Sequence, residues 1–294
     1  MMRGMFAAIS GLKVNQTMLD VTANDLANVN TVGYKSARTT FQDSLAQLQR
    51  GASGANQSTG GSNALQVGLG VQLGSVDNLM SGGAPMTSGN PLDVYIQGNG
   101  WLRVGLGDGR AVPRDFQYTR AGNLTMTAAG QLTTQDGHYL VGVGARATAD
   151  GAGGFTYAPD TGTNSYITVP PGSTDVTIGQ DGGVSYIDQD ARSRTFGQRV
   201  VAGYLSLAKF SNEGGLQRSG GSLWLQSASS GAATFGTPNT DGFGQTNAGM
   251  LEMSNVDLAT QFTTMITAQR GFQANSRVIS TADEMLQDLV NLKR

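Results

Sequence analysis

The sequence predicts a multidomain α+β protein with a long helix at each end and a mainly antiparallel β body between them. Near both termini, apolar residues recur at alternating steps of three and four, which is the spacing of a helix with one apolar stripe. From Leu65 the period changes to two, as it does in half-buried strands. Two stretches rich in glycine, serine and threonine separate these regions.

Each terminal stripe suits a coiled-coil partner that covers it. The N-terminal stripe predicts a helix over residues 3–29, which ends where asparagine and glycine follow. The C-terminal stripe predicts a helix from Leu251 to the end of the chain. The residues predicted to form an assembly surface are Met5, Ile9, Leu12, Leu19, Leu26, Leu258, Phe262, Met265, Phe272, Ile279, Leu286 and Leu289.

Apolar residues at helical spacing more often belong to an ordinary domain core, but two features here favour assembly. Both stripes are terminal, and glycine-rich stretches separate them from the β body, so no domain core is predicted beside them. Residues 259–269 also carry no charge, although a solvated helix usually presents lysine and glutamate. Their polar positions are mostly threonine and glutamine, which suits contact with many neighbours or the lining of a passage.

The domain organisation follows from these patterns. Residues 1–35 and 251–294 form the predicted terminal helical assembly domain. Residues 65–226 form the predicted β body, which includes a hairpin over residues 175–187 and a small inserted subdomain near residues 145–200. Residues 36–64 and 227–250 are predicted to be flexible connectors, because small and polar residues dominate them.

Charge and cysteine content exclude several classes of function. Charged residues make up 14% of the 294-residue chain, the formal net charge is −2, and the basic residues do not cluster. This distribution gives no electrostatic footprint for nucleic acid or an anionic membrane. The chain has no cysteine for disulfides or thiolate metal ligands, and no apolar run approaches the roughly 20 residues that span a bilayer. We therefore expect no nucleic-acid partner and no membrane insertion.

The first residues superficially resemble a secretory signal, with Arg3 followed by the apolar run from Met5 to Ile9. That run is too short for a signal, and the helical spacing continues through it to Leu26. We expect the N-terminus to be retained as structure. If the protein leaves the cell, its route is expected to cleave nothing.

No motif in the sequence predicts a catalytic, cofactor or metal site, so the chain is not expected to be an enzyme. The single histidine, His138, follows a predicted turn and is expected at the surface. Ser10 and Lys13 match the S-x-x-K string of penicillin-recognising enzymes, but they lie in the predicted N-terminal helix without the partner motifs. Turn chemistry explains Asp181 and Asp188 better than a calcium site does.

Strings at both ends resemble the axial proteins of the bacterial flagellum. The string from Asp20 to Lys35 is similar to the signature that rod and hook proteins share. Residues 251–258 and 265–277 resemble the start and continuation of their terminal helix, and residues 92–102 resemble the entry to their β domain. The residues that carry the family motif are Asn24, Leu26, Asn28, Thr31, Gly33, Tyr34, Lys35, Ser254, Asn255, Val256, Gln269 and Arg270.

The resemblance implies a structural subunit of a helical tube, in which the terminal helices pair as an inner coiled-coil layer. It implies that the chain binds itself as a homopolymer and binds other axial proteins at the two ends of the tube. It also implies contact with the type III export apparatus and with chaperone or cap proteins, because such subunits are exported without a cleaved signal.

The sequence of residues 250–294 favours the flagellar hook, an extracellular curved tube that transmits torque from rod to filament. The alternative is the distal rod subunit of the basal body, in the periplasm, to which the length of the chain is close. An extracellular adhesin or binding module with a β-rich fold is a remote alternative. Such a protein usually carries a cleavable signal and grouped aromatic residues, and neither is evident in this sequence.

Overall fold

The computed structural model describes residues 2–54, 60–107, 115–149, 155–189, 195–240 and 242–291. A long helix lies near each end of the chain, α1 at Met2–Ala27 and α2 at Leu258–Asn291. Among the described residues, one 3₁₀ turn occupies Glu213–Gly215. Within the described ranges, the remaining regular elements are strands.

The strands follow one another between the two helices. The first group comprises β1 (Ala37–Asp43), β2 (Ala46–Arg50), β3 (Leu65–Gly68), β4 (Val71–Asn78), β5 (Pro85–Thr87), β6 (Val94–Gln97), β7 (Trp101–Gly105), β8 (Gln117–Thr119), β9 (Leu124–Met126), β10 (Leu132–Thr134) and β11 (Tyr139–Ala149). The second group comprises β12 (Phe155–Tyr166), β13 (Thr174–Ile178), β14 (Gly183–Ile187), β15 (Arg199–Leu205), β16 (Leu207–Lys209), β17 (Gln217–Gly220), β18 (Leu223–Leu225), β19 (Thr234–Gly236), β20 (Gln245–Ala248) and β21 (Met250–Glu252). The described strands pair antiparallel throughout, which confirms the predicted α+β class.

The chain divides into two compact units. The first contains Met1–Asn28, Ser36–Leu79 and Val256–Arg294, and we call it the helix unit. The second contains Val29–Lys35 and Met80–Asn255, and we call it the β body. Each unit therefore draws on segments that are far apart in the sequence.

In the helix unit, α1 and α2 pack antiparallel. Gly11 lies opposite Asn275 and Asp25 lies opposite Gln261, so a step forward along α1 matches an equal step backward along α2. The same unit holds a two-stranded ribbon, in which β1 pairs with β4 and β2 pairs with β3. Its first strand, β1, comes directly after the short segment that follows α1.

The β body is organised around one large sheet. Among the described residues, 13 strands join this sheet, with the order β13-β14-β15-β11-β7-β8-β18-β17 along its main path. Strand β7 runs through the interior, and its residues alternate between two cores because successive side chains point to opposite faces. Leu102 and Val104 enter the larger core, whereas Trp101 enters a smaller aromatic core with Trp224. Large side chains buried on both faces give the body a core of its own.

The C-terminal helix begins at Leu258 and not at the predicted Leu251. Residues 250–252 pair as β21 with β5 instead. Asp257 then caps the helix, since its Oδ1 accepts the Ala259 N–H at 3.0 Å and its Oδ2 accepts the Thr260 hydroxyl at 2.8 Å. Such a cap satisfies groups that the start of a helix leaves without intrahelical partners. Similarly, α1 ends at Ala27, two residues before the predicted end at residue 29.

The two stretches expected to be flexible connectors contain strands. Residues 36–64 include β1 and β2, and residues 227–250 include β19 and β20. Backbone N–H and C=O groups pair whatever the side chain, so a sequence rich in small residues still forms a strand beside a suitable partner. The β body also differs in extent from the expectation, because residues 65–78 belong to the helix unit. The strands of the expected subdomain near residues 145–200 join the large sheet.

Two smaller expectations have different outcomes. The hairpin predicted over residues 175–187 is present, with Ile178 opposite Val184. The expectation that His138 lies at the surface is wrong, because this residue is only 9% exposed. Its backbone N–H donates to the Thr134 hydroxyl at 3.3 Å, and this bond holds the residue at the buried start of β11.

The aspartates considered for calcium serve the local backbone and side chains. Asp181 accepts the Gly183 N–H at 3.2 Å, and Asp188 accepts the Thr195 hydroxyl at 2.6 Å. Across the part of the chain that the structure describes, potential metal ligands do not gather in groups of three or more. In that same part, neither helix combines the length and the hydropathy that crossing a bilayer requires.

Candidate assembly site and motif junction

The seam between α1 and α2 is lined by small and polar residues. On α1 the buried positions are Ala8, Gly11, Val14, Thr22 and Asp25. On α2 they include Ala268 and Ala282, with 0% and 7% exposure. Small residues at such positions let two helix backbones approach closely.

Two glycines in the seam each face an asparagine of the other helix. A Cβ atom at Gly11 would lie 2.7 Å from Nδ2 of Asn275, and one at Gly271 would lie 2.7 Å from Oδ1 of Asn15. Both distances are shorter than a Cβ tolerates, so each glycine provides the space that its asparagine occupies. The Asn15 amide is further fixed because it donates to the Gly11 carbonyl at 2.7 Å.

Asp25 is fully buried and joins three segments of the helix unit. Its two carboxylate oxygens accept the Ala37 N–H at 3.2 and 3.1 Å, and Oδ2 accepts the Gln261 amide at 3.3 Å. A buried carboxylate is costly unless hydrogen bonds compensate it. Asp25 therefore ties the end of α1 to the start of β1 and to the first turns of α2.

The predicted apolar stripe is less deeply buried than these seam residues. Its members that are half-buried are Met5, Ile9, Leu12, Leu19, Leu26, Met265, Phe272, Ile279 and Leu286. Leu258 and Phe262 are 43% and 49% exposed. The Leu289 side chain lies outside the described part of the structure. The stripe is therefore only partly covered within the chain.

Further apolar side chains that sequence analysis did not single out point to solvent. They are Met2, Phe6, Ile266, Val278, Met285 and Val290, with exposures from 47% to 68%. The sequence could have identified these residues, because they flank the stripe at helical spacing. Exposed apolar side chains that form a contiguous patch are typical of interaction surfaces.

The threonines of α2 contribute no unmet hydrogen-bonding groups to the outer face. The hydroxyls of Thr263, Thr264 and Thr267 each donate at 2.9 Å to the carbonyl four residues earlier. Because these donors are already satisfied within the helix, a neighbour can cover this face without leaving a buried hydroxyl donor unpaired. The uncharged face of residues 259–269 is thus compatible with close contact.

In the β body, the two segments that carry the family motif meet. The Gly33 N–H donates to the Glu252 carbonyl at 2.8 Å, and the Asn255 N–H donates to the Tyr34 carbonyl at 3.4 Å. Gly33 has a φ of 67°, and a Cβ there would lie 2.6 Å from the Ala121 nitrogen. Only glycine combines this backbone conformation with so close an approach.

A buried ion pair fixes this junction. Lys35 Nζ lies 2.6 Å from Glu252 Oε1, and the two side chains are 0% and 1% exposed. Lys35 also donates to the Ser81 carbonyl at 2.9 Å, and Glu252 Oε1 accepts the Gly83 N–H at 2.8 Å. Burial lowers the pKa of Lys35 below its usual value, against the opposing attraction of Glu252. The pair is held by directed hydrogen bonds from three chain segments.

Two arginines complete the junction. Arg120 Nη1 lies 3.6 Å from Glu252 Oε2. The guanidinium of Arg218 lies 4.9 Å from the Tyr34 ring centroid, and it donates to the Tyr34 hydroxyl at 3.1 Å and to the Lys35 carbonyl. Sequence analysis named Tyr34 and Lys35 but not Glu252 or the two arginines, because their pairing depends on the fold.

The other motif residues lie in both units. In the helix unit, the Asn28 side chain donates to the Asn24 carbonyl at 2.9 Å and helps to end α1. Leu26 and Val256 are half-buried there, and Gln269 and Arg270 are exposed on α2. In the β body, the Thr31 carbonyl accepts the Tyr34 N–H at 3.3 Å, and the Asn255 side chain donates to Ser81. Ser254 is half-buried beside it.

Comparison with known proteins agrees with these positions. Residues 5–35 match the family model "Flagella basal body rod protein", and residues 247–292 match "Flagellar basal body rod FlgEFG protein C-terminal". Residues 95–186, within the β body, match "Flagellar hook protein FlgE/F/G D1 domain". The matched segments thus include both sides of the motif junction.

Full-length relatives extend this match. The chain is 41% identical to the flagellar basal-body rod protein FlgG of Bacillus subtilis, over 100% of each chain. It is 39% identical to the protein of the same name from Caulobacter vibrioides, over 99% of this chain and 100% of the relative. It is 28% identical to the flagellar hook protein FlgE of Borreliella burgdorferi, over 100% of each chain and 441 aligned positions. This chain belongs to the rod and hook family of bacterial flagellar axial proteins, and it is a structural protein and not an enzyme.

Proposed function

We propose that this protein is the distal rod subunit of the flagellar basal body. The observation that carries the proposal is the identity over full length to proteins named as basal-body rod proteins. The hook relative aligns at lower identity and only with long gaps. The distal rod is therefore the first candidate. The hook, which the sequence of residues 250–294 favoured, is the second.

The ribbon of the helix unit supports the rod over the hook. A hook bends as it turns, so its subunits need segments that change shape cheaply, whereas a rod holds one geometry. The segment expected to be a flexible connector instead pairs in register, with Gln47 opposite Val67 and Thr39 opposite Val76. Paired strands sample far fewer backbone states than a free glycine- and serine-rich chain. Such a ribbon suits a straight polymer.

The terminal helices are the assembly domain in this proposal, and the main partner is the chain itself. The stripe from Met5 to Leu26 on α1 and from Leu258 to Leu289 on α2 is covered by neighbouring copies. A lone two-stranded ribbon and a lone helix pair are marginal in water, and both expose large apolar side chains, such as Leu45 at 80% and Phe6 at 60%. Neighbours in a helical polymer remove these surfaces from water.

The remaining partners follow from the same role. Other axial proteins lie at the two ends of the rod, and the type III export apparatus carries the chain without cleavage. As a rod subunit the protein works in the basal body, within the periplasm. The family motif at the junction of Gly33, Lys35 and Glu252 sets how the chain passes into and out of the β body.

Electron microscopy of basal bodies separates rod from hook. Basal bodies from cells that lack this protein should have a shortened rod and no hook, because the hook grows on a complete rod. Full-length rods that merely lack a hook would favour the hook reading. Purified polymers give an independent result, since the rod proposal expects straight tubes and the hook reading expects curved ones.

A further inference from the structure

An apolar groove lies where α1, α2 and the ribbon meet within the helix unit, and we call it the helix groove. Its volume is about 280 Å³, far more than the roughly 30 Å³ that one water occupies in the liquid. The residues that form its walls include Met18 and Val21 of α1, Ala37 of β1, Leu79 just after β4, and Thr260 and Thr264 of α2. The helix groove therefore has room for a large side chain.

The hydroxyl groups that the two helices contribute to the groove are already paired within the chain. The Thr22 hydroxyl donates to the Met18 carbonyl at 2.5 Å. The Thr260 hydroxyl donates to Asp257 Oδ2 at 2.8 Å, and the Thr264 hydroxyl donates to the Thr260 carbonyl at 2.9 Å. An apolar occupant can therefore cover these residues without leaving a buried hydroxyl donor unpaired.

A single cation lies among the residues that line the groove. Arg38 is the only charged lining residue, and its side chain is 63% exposed, with Nη2 3.6 Å from Asp77 Oδ2. A guanidinium is attracted to the face of an aromatic ring, so an aromatic occupant gains a contact that an aliphatic one lacks. A carboxylate would also be attracted to Arg38, but the apolar walls would remove it from water at a cost.

The opposite end of the helix pair presents an aromatic side chain that the chain does not cover. Phe6 is 60% exposed near the start of α1, and Met2 and Met285 beside it along the antiparallel pair are 55% and 50% exposed. At a rise of 1.5 Å per residue, Phe6 lies about 20 Å along α1 from Met18 and Val21. One rigid helix carries both sites, so the chain cannot place its own Phe6 in its own groove.

We propose that the helix groove receives the Phe6 side chain of a second copy of the chain. This contact joins two different surfaces, so each copy in a chain of contacts keeps one groove and one Phe6 free at its outer ends. Such a head-to-tail contact extends into an open helical polymer when its rotation does not close a ring. The inference rests on the self-assembly in the proposed function, and it holds equally for a rod and for a hook.

Phe262 is the other large aromatic side chain exposed on the helices, at 49%, and it fits the groove less well as an occupant. It follows Gln261, which lines the groove, so it lies at the same end of the helix pair. Two copies that exchanged Phe262 side chains would meet through the same surface, and such a two-fold contact closes as a dimer. A dimer of this kind does not propagate along a tube.

Cross-linking between copies tests the proposal directly, because the chain has no cysteine of its own. Phe6→Cys and Leu79→Cys are made as separate variants, mixed with an equal amount of wild type so that polymers form, and treated with a short bifunctional maleimide. We expect cross-linked dimers of the two variants in the polymer and not in the unpolymerised protein. Phe262→Cys mixed with Leu79→Cys is the matched control and should give far less dimer.

The critical concentration for polymerisation gives a second measurement. Phe6→Ala empties the groove of the neighbour, so we expect the critical concentration to rise by about tenfold or more. Phe196→Ala, which removes a phenylalanine that is 59% exposed in the β body, should leave it unchanged. Polymerisation of Phe6→Ala at the wild-type concentration would overturn the proposal.

The cross-linking result is separable from the choice of rod or hook. Straight tubes without the Phe6–Leu79 product, or with as much Phe262–Leu79 product, would overturn the docking of Phe6 and leave the rod proposal in place. Curved tubes that give the Phe6–Leu79 product would support the docking and contradict the rod. A wild-type protein that forms no polymer would overturn both.

Discussion

In the β body, Trp101, Leu102 and Leu124 are at most 1% exposed, whereas in the helix unit Phe6 and Phe262 are 60% and 49% exposed. The buried positions of the helix pair instead hold alanine, glycine, threonine, one valine and one aspartate. One region buries its large apolar side chains within the chain, and the other leaves its own half-buried or exposed. At roughly 25 cal/mol per Å² of apolar area removed from water, the body gains most of its stability alone and the helix pair does not.

This difference explains how one chain can be a folded domain and a polymer subunit. The narrow seam of α1 and α2 sets the register of the two helices through Gly11, Gly271 and their asparagines. In the proposed polymer, we expect the free energy that stabilises the pair to come largely from contact with other copies. We expect substitutions on the outer face of the helices to alter assembly, and substitutions at the motif junction to alter the body itself.

The largest effect is expected for Phe262→Glu, on the outer face of α2. A carboxylate placed where a neighbour covers the helix costs several kcal/mol in every subunit, so polymerisation should fail. The melting temperature of the β body in the monomer should not change. The matched control is Phe196→Glu in the β body, where the phenylalanine is 59% exposed. Normal polymers from Phe262→Glu would show that this face is not the assembly surface.

A large effect of the opposite kind is expected for Lys35→Met, at the motif junction. Removing Lys35 takes the 2.6 Å partner from Glu252 and leaves only the longer, 3.6 Å contact to Arg120, so it should cost about 3–5 kcal/mol in the free energy of unfolding. Urea unfolding of the monomer, followed by tryptophan fluorescence, measures the change in the body. Arg38→Met removes a cation whose side chain is 63% exposed and should change the free energy of unfolding by less than about 1 kcal/mol. Equal effects of the two variants would contradict the role given to this pair.

A smaller effect is expected for Gly271→Ala, in the helix seam. The added Cβ would lie 2.7 Å from Asn15 Oδ1, so the helices must separate or the asparagine must move. Overpacking of this kind typically costs about 1–3 kcal/mol, which should lower the melting temperature of the polymer and leave the β body of the monomer unchanged. Gly4→Ala is the control, because a Cβ there meets nothing within 4 Å. A seam that tolerates both alanines equally would not set helix register.

The smallest effect is expected for the cap of α2. Hydrogen bonds from the Thr260 hydroxyl and then the Ala259 N–H hold the pKa of Asp257 below its usual value. Because the folded pKa is the lower one, the carboxylate stabilises the helix above the unfolded pKa of about 3.9, and this contribution is lost as pH falls through the folded pKa. Asp257→Asn keeps a capping oxygen but does not titrate. The melting temperature of its polymer should therefore depend less on pH between pH 5 and pH 3 than that of the wild type, and an identical dependence would exclude the cap as its source.

Local patterns in the sequence predicted much of the fold. The two helices, the hairpin over residues 175–187 and the antiparallel body follow from the spacing of apolar residues and from turn residues. The seam was not predicted, because a search for large apolar residues overlooks a contact built from Gly11, Gly271 and asparagine. The ribbon was not predicted, because amino-acid composition indicates how flexible a free chain is. It does not show whether a partner strand is present.

The candidate site was predictable only in part. The motif pointed to Gly33, Tyr34 and Lys35, but the lysine pairs with Glu252, which is 217 positions away in the sequence. Nothing local links these two residues, since only the fold brings both ends of the β body together.

Hydrogen exchange, measured on the monomer and on the polymer, tests most directly whether neighbours order the helix unit while the body folds alone. In the monomer, we expect amides of β7 and β11 to be strongly protected and amides of residues 5–26 and 260–286 to exchange quickly. In the polymer, both regions should be protected. Strong protection of α1 and α2 in the monomer, equal to that of β7, would show that the helix unit is ordered without neighbours and would contradict this account.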